Sequence, residues 1–149
     1  MSAYQLVNNE SALRTYVYVA EYTGIQANAT VSNQKTIGII PAGGAVAFAY
    51  AYEEIPLVGA SDITLDVGTT AADPDEFIDA WDADGGTPAC NTGDACVQVA
   101  GNSTYLAGWK PVGISDTAKP ILAEWNGTVS SLTAGKVIVV VGVIDPGSF

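Results

Sequence analysis

The run Lys136-Val-Ile-Val-Val-Val-Gly-Val-Ile144 constrains this chain most. Seven of its nine residues are Val or Ile, whose branched Cβ atoms are stiff at χ1 and suit a pleated strand. Thr133-Ala-Gly135 precedes it as a turn, and Asp145-Pro-Gly147 stops it. With period-two alternation both faces of this strand are apolar. The run is too short and too interrupted to span a bilayer as a helix.

Other segments alternate in the same way. Arg14–Tyr22 places Thr15, Val17 and Val19 on one face and Tyr16, Tyr18 and Ala20 on the other. Both faces call for cover, as in a sandwich or an interface strand. Thr36–Ile40 runs into the turn Pro41-Ala-Gly-Gly44. In Ala45–Tyr52, Val46, Phe48, Tyr50 and Tyr52 share one face, and four alanines form a closely packed other face. Ile63–Val67, Val97–Val99, Thr104–Ala107, Pro120–Trp125 and Thr128–Leu132 complete the strand candidates, with Asn126-Gly127 as a hairpin signal. About eight short strands predict an all-β fold, a single β-sandwich or jelly roll over residues 1–149. One helical turn is expected near 74–81. Asp73 is its cap, Pro74 its first residue, Asp75 and Glu76 its acidic start, and Phe77, Ile78 and Trp81 its buried side. Residues 1–12 are weakly patterned and are expected to form either a short helix or an N-terminal arm that orders only against a partner.

Charge narrows the partners. The chain has 16 acidic and 5 basic residues, a net charge of −11. That balance opposes nucleic acid and anionic membranes, which attract Lys and Arg. Only 14% of residues are charged, against about 25% in ordinary soluble domains. Either Ser, Thr, Asn, Gly and Ala cover the surface, or part of it is hidden in an assembly. The N-terminus has neither a basic start nor an apolar core of a leader peptide, so synthesis in a cytosol is expected. No histidine occurs, so histidine-based nucleophilic catalysis has no base. No enzymatic activity and no cofactor are expected.

The order of motifs resembles one protein class. Ile39-Ile-Pro-Ala-Gly43 leads to the strand Ala45–Tyr52. Leu65-Asp-Val-Gly68, a polar turn and Asp73-Pro-Asp-Glu-Phe-Ile-Asp79 follow, and Leu132-Thr-Ala-Gly-Lys136 feeds the terminal valine-rich strand. This order resembles small jelly-roll proteins of tailed-bacteriophage heads, the capsid cement or decoration proteins. The likeness covers residues 13–68 and 118–145; residues 83–117 match no pattern. It implies a virion protein on the capsid surface, made in the host cytoplasm, that binds the major capsid protein. A homotrimer is the first expectation and a dimer the second, with Tyr16 and Tyr18 as contact candidates. The alternative is a carbohydrate- or receptor-binding sandwich of a tail or fibre, with Trp109 as its exposed aromatic.

Two constellations have several readings. Nine acids lie between Asp62 and Asp94. Asp79, Asp82 and Asp84 are calcium candidates, because calcium takes oxygen ligands from Asp-rich loops, but the spacing fails the EF-hand template. The same acids also read as a solvated loop, or as a contact to basic residues of a shell. Cys90 and Cys96 flank five residues that include Gly93. A local disulfide and two buried thiols both fit. Two cysteines without histidine do not make a zinc site.

Overall fold

The structure is a computed structural model, and it describes residues 13–30, 32–84, 97–98 and 116–145. Eight strands run in the order β1 (Leu13–Glu21), β2 (Gln34–Ile40), β3 (Ala45–Val58), β4 (Thr64–Gly68), β5 (Ile78–Asp82), β6 (Val97–Gln98), β7 (Lys119–Asn126) and β8 (Ala134–Ile144). Among the described residues one helix, α1 (Tyr22–Ala29), follows β1, and a 3-10 turn (Val129–Ser131) precedes β8.

The chain pairs as a nested hairpin. β1 lies against β8, β2 against β7, β3 against β6 and β4 against β5, always antiparallel. Two more pairings, β3 with β8 and β4 with β7, join these couples into sheets. Sheet A has the order β1-β8-β3-β6, and sheet B the order β2-β7-β4-β5. The result is the winding of an eight-stranded jelly roll.

The valine-rich run is the centre of sheet A. β8 pairs with β1 from Leu13↔Ile144 to Glu21↔Lys136, and with β3 on its other side. Val137, Val139, Val141 and Val143 face inward and are fully buried. Their register partners on β1 are Ala20, Tyr18, Tyr16 and Arg14, and on β3 Glu53, Ala51, Ala49 and Val46. Sheet B supplies the bulk on the other side, from Leu65, Val67, Ile121 and Trp125. Small alanines on one layer thus leave room for an indole on the other, as dense packing requires.

A bulge between Val46 and Phe48 changes the expected face of β3. An extra residue reverses the alternation at that point. Val46 is in the core, and Phe48, Tyr50 and Tyr52 point outward. β3 also continues to Val58 through Pro56, helped by two further register shifts.

Three expectations are corrected. The helical turn near 74–81 is absent, and Ile78–Asp82 is the strand β5. Phe77, Ile78 and Trp81 are buried as expected. They are held by strand contacts: Phe77 N–H donates to Val67 C=O at 2.8 Å, and Ala83 N–H donates to Ile63 C=O at 2.9 Å. Pairing with β4 outweighs a weak local helix signal. The helix lies instead at Tyr22–Ala29, where Ile25 alone is buried and no side chain caps the start. Gln26 fixes it from outside, donating to the carbonyls of Val129, Ser130 and Leu132. Thr128–Leu132 is not a strand, and Asn126-Gly127 does not close a hairpin. Gly127 has φ of 96°, and the connection carries the chain from sheet B to sheet A. The expected strand Thr104–Ala107 and the arm 1–12 lie outside the described residues.

Phe77 is fully buried at the foot of sheet B. Phe77→Ala should lower the unfolding free energy by about 3–5 kcal/mol. A urea titration should show the midpoint falling while the slope stays unchanged.

Candidate interaction surface

The motif Gly68 to Asp79 is a structural staple. Glu76 turns its carboxylate onto the turn after β4, accepting from Thr69 N–H at 2.7 Å and from the hydroxyls of Thr69 and Thr70. A Cβ on Gly68 would sit 1.8 Å from the Glu76 carboxylate and 2.6 Å from Pro74 backbone, so only glycine fits there. Burial raises the Glu76 carboxyl, but the hydrogen bonds from Thr70 and Thr69 outweigh it and hold the group below the usual range.

Asp66 is the second staple, on the outer face of sheet B but only 8% exposed. One oxygen accepts from the backbone N–H of Ala80 and the other from Asn126 Nδ2 at 2.8 Å. The contact ties β5 and β7 to β4 and holds Ala80 at φ of 45°, a costly conformation for alanine. Burial pushes the Asp66 carboxyl up. The Ala80 N–H opposes that shift, and the charges of Asp79, Glu124 and Asp73 add to it.

The calcium candidates do not converge. Asp79 bears electrostatically on Asp66, whereas Asp82 bears on Asp84. Asp84 spends one oxygen on Ile63 N–H at 2.9 Å. Among the described residues no three acids or cysteines assemble as a metal-holding group. Cys90, Cys96 and Trp109 lie outside the described residues.

Tyr16 and Tyr18 face the sandwich interior. Both rings pack half-buried against the core. Tyr16 lies against Gly38, and its hydroxyl donates to Ile39 C=O at 3.0 Å. Burial raises the Tyr18 phenol, and the neighbouring Trp125 indole offsets part of the rise. The opposite face of β1 carries Leu13, Thr15, Val17 and Val19, all exposed. Sequence alternation separated these two faces but did not say which one is inward.

The two outer faces of the sandwich differ in chemistry. Sheet B carries acids outward: Asp66, Asp82 and Glu124, with Asp73 and Asp79 beside them. Sheet A carries apolar and aromatic groups outward: Val17, Val19, Ile138, Val140, Phe48, Tyr50 and Tyr52.

No family model matches this chain, and no curated protein matches it. Among solved structures, it is similar to a chain of the cyanophage Pam1 capsid asymmetric unit. The TM-score is 0.58 at 16% sequence identity, over 98% of this chain and 100% of that one. The two chains thus share a fold from end to end at nearly equal length.

Asp66 also sets a pH dependence. Its folded carboxyl holds the proton more tightly than the unfolded chain does. Its stabilising contribution is therefore full below the ordinary aspartate range and is lost as pH rises through the raised folded value. Comparison with Asp66→Asn isolates this group from Glu76, which acts in the opposite sense. Chemical unfolding from pH 7 to pH 4 should show wild type gaining stability relative to Asp66→Asn as the pH falls.

Proposed function

We propose that this chain is a non-enzymatic structural protein of a tailed-phage head, a cement or decoration protein on the capsid surface. The observation that carries the reading is the end-to-end likeness to a chain of a phage capsid asymmetric unit. The order of sequence motifs supports it independently.

The mechanism is adhesive. The sandwich presents rigid outer faces, and its motif acids Asp66 and Glu76 are already engaged in internal hydrogen bonds. A protein that binds the assembled lattice and not the free subunit stabilises that lattice by linkage. The major capsid protein is its partner, and the chain acts as a homo-oligomer, a trimer first and a dimer second. It is made in the host cytoplasm and ends on the virion.

Purified protein should co-sediment with expanded heads at a fixed ratio to capsid subunits. It should stay in the supernatant with unassembled subunits. Equal binding to both, or to neither, would remove the cement reading.

A further inference from the structure

We propose that Asn126 is a spontaneous deamidation site, that its hydrogen bond to Asp66 restrains the reaction in the folded chain, and that the product cannot rebuild the Asp66 staple. The inference concerns sheet B and does not depend on capsid binding.

Asn126-Gly127 is the chain's single Asn-Gly step. The backbone nitrogen after an asparagine attacks the side-chain amide carbon most readily when it belongs to glycine, which has no side chain to obstruct it. The step closes no hairpin here, yet the fold has a separate use for each residue. Gly127 has φ of 96°, and a Cβ on it would fall 2.1 Å from the Asp62 carbonyl oxygen, so the position accepts only glycine. Asn126 serves Asp66: its Nδ2 donates to one carboxylate oxygen at 2.8 Å, while Ala80 N–H donates to the other. Asp66 is only 8% exposed, and a buried acceptor that loses its donor is costly. The labile pair is thus built into the fold.

The same contacts hold the reaction back. Asn126 is the last residue of β7 and lies in register with Thr64 on β4. In extended backbone the following nitrogen does not face the side-chain carbon. Attack therefore needs rotation about the Cα–C bond of Asn126 and of its side chain. Asp66 opposes the side-chain rotation. Asp62 opposes the backbone rotation, accepting from Thr128 N–H at 3.1 Å and from the Thr128 hydroxyl. Asn126 is half-buried and Gly127 is exposed, so water reaches the pair as soon as the end of β7 opens. Such local opening costs less than global unfolding.

The chemistry needs only water. The Gly127 nitrogen loses its proton to solvent base and bonds to Asn126 Cγ. The Cγ–Nδ2 bond breaks, and ammonia leaves with a proton taken from water. A second water opens the resulting ring at either carbonyl, giving aspartate or isoaspartate. The sum is one water consumed and one ammonia released, with no change of oxidation state. Aspartate replaces the donor facing Asp66 with a carboxylate. Burial and the charges of Asp79, Glu124 and Asp73 already disfavour charge on Asp66. Isoaspartate routes the backbone through an extra carbon and disturbs the register with β4. A reversible opening is thereby made permanent.

Peptide mapping by mass spectrometry tests this on the full chain, incubated at neutral pH in native buffer and in denaturing urea. Conversion of Asn126 should be at least about tenfold slower in native buffer than in urea, the mark of a reaction gated by opening. Asp66→Asn should raise the native-buffer rate severalfold. Val139→Ala, which removes buried volume from sheet A, should leave it unchanged. Asn126→Asp, which carries the product, should unfold at a lower urea concentration than wild type. Equal rates in native buffer and urea overturn the proposal, as does no conversion in urea. An Asp66→Asn rate equal to wild type, or an equal rise in Val139→Ala, overturns the restraint by Asp66. An Asn126→Asp variant as stable as wild type overturns the claim for the product. If Asp66→Asn does not fold, the native-to-urea ratio and Asn126→Asp decide without it.

Discussion

Everything in this sandwich depends on β8 having neighbours on both edges. It pairs with β1 along nine residues and with β3 along most of its length. Pairing satisfies its backbone polar groups within the sheet, so none has to meet the apolar interior unpaired. Its inner valines then anchor the core, and its outer residues Ile138 and Val140 are buried on the opposite face of the sheet. The strand that makes the fold possible also creates the apolar outer face.

Sheet B is held differently. Its strands are joined by side chains as well as ladders: Asp66 to β5 and β7, and Asp62 to the turn at Thr128 through its backbone N–H and hydroxyl. Gln34 on β2 donates to Glu124 on β7 and to Ala71 C=O at 2.6 Å. These acids accept from neutral donors rather than from cations, so their charge survives on the surface. That is why one layer is acidic outside while the other is apolar.

Alternation was legible wherever Val, Ile or aromatic residues recur with period two, and it located β1, the first half of β3, β4, β7 and β8. It did not reveal orientation. The two faces of Arg14–Tyr22 are about equally apolar, so only the packed sandwich decides that Tyr16 and Tyr18 turn inward and Val17 and Val19 outward. The segment 74–81 carries a reasonable helix start, yet its backbone donors find better partners on β4. Tyr22–Ala29 has almost no amphipathic signal, and its helix is held by Gln26 reaching residues more than a hundred positions away. The acidic run suggested one site by its density, but the sheet divides it between separate structural tasks.

The sequence by itself determined the all-β class and the strongest strands, together with the central valine run and the acidic, histidine-free surface chemistry. These follow from side-chain shape, local alternation and composition, which require no partner. Tertiary structure alone decided the jelly-roll pairing, the face of each strand that turns outward, and the separation of apolar from acidic surface. Those outcomes come from long-range pairing and single-residue bulges. A shift of one residue reverses every side chain beyond it, and no local pattern records such a shift.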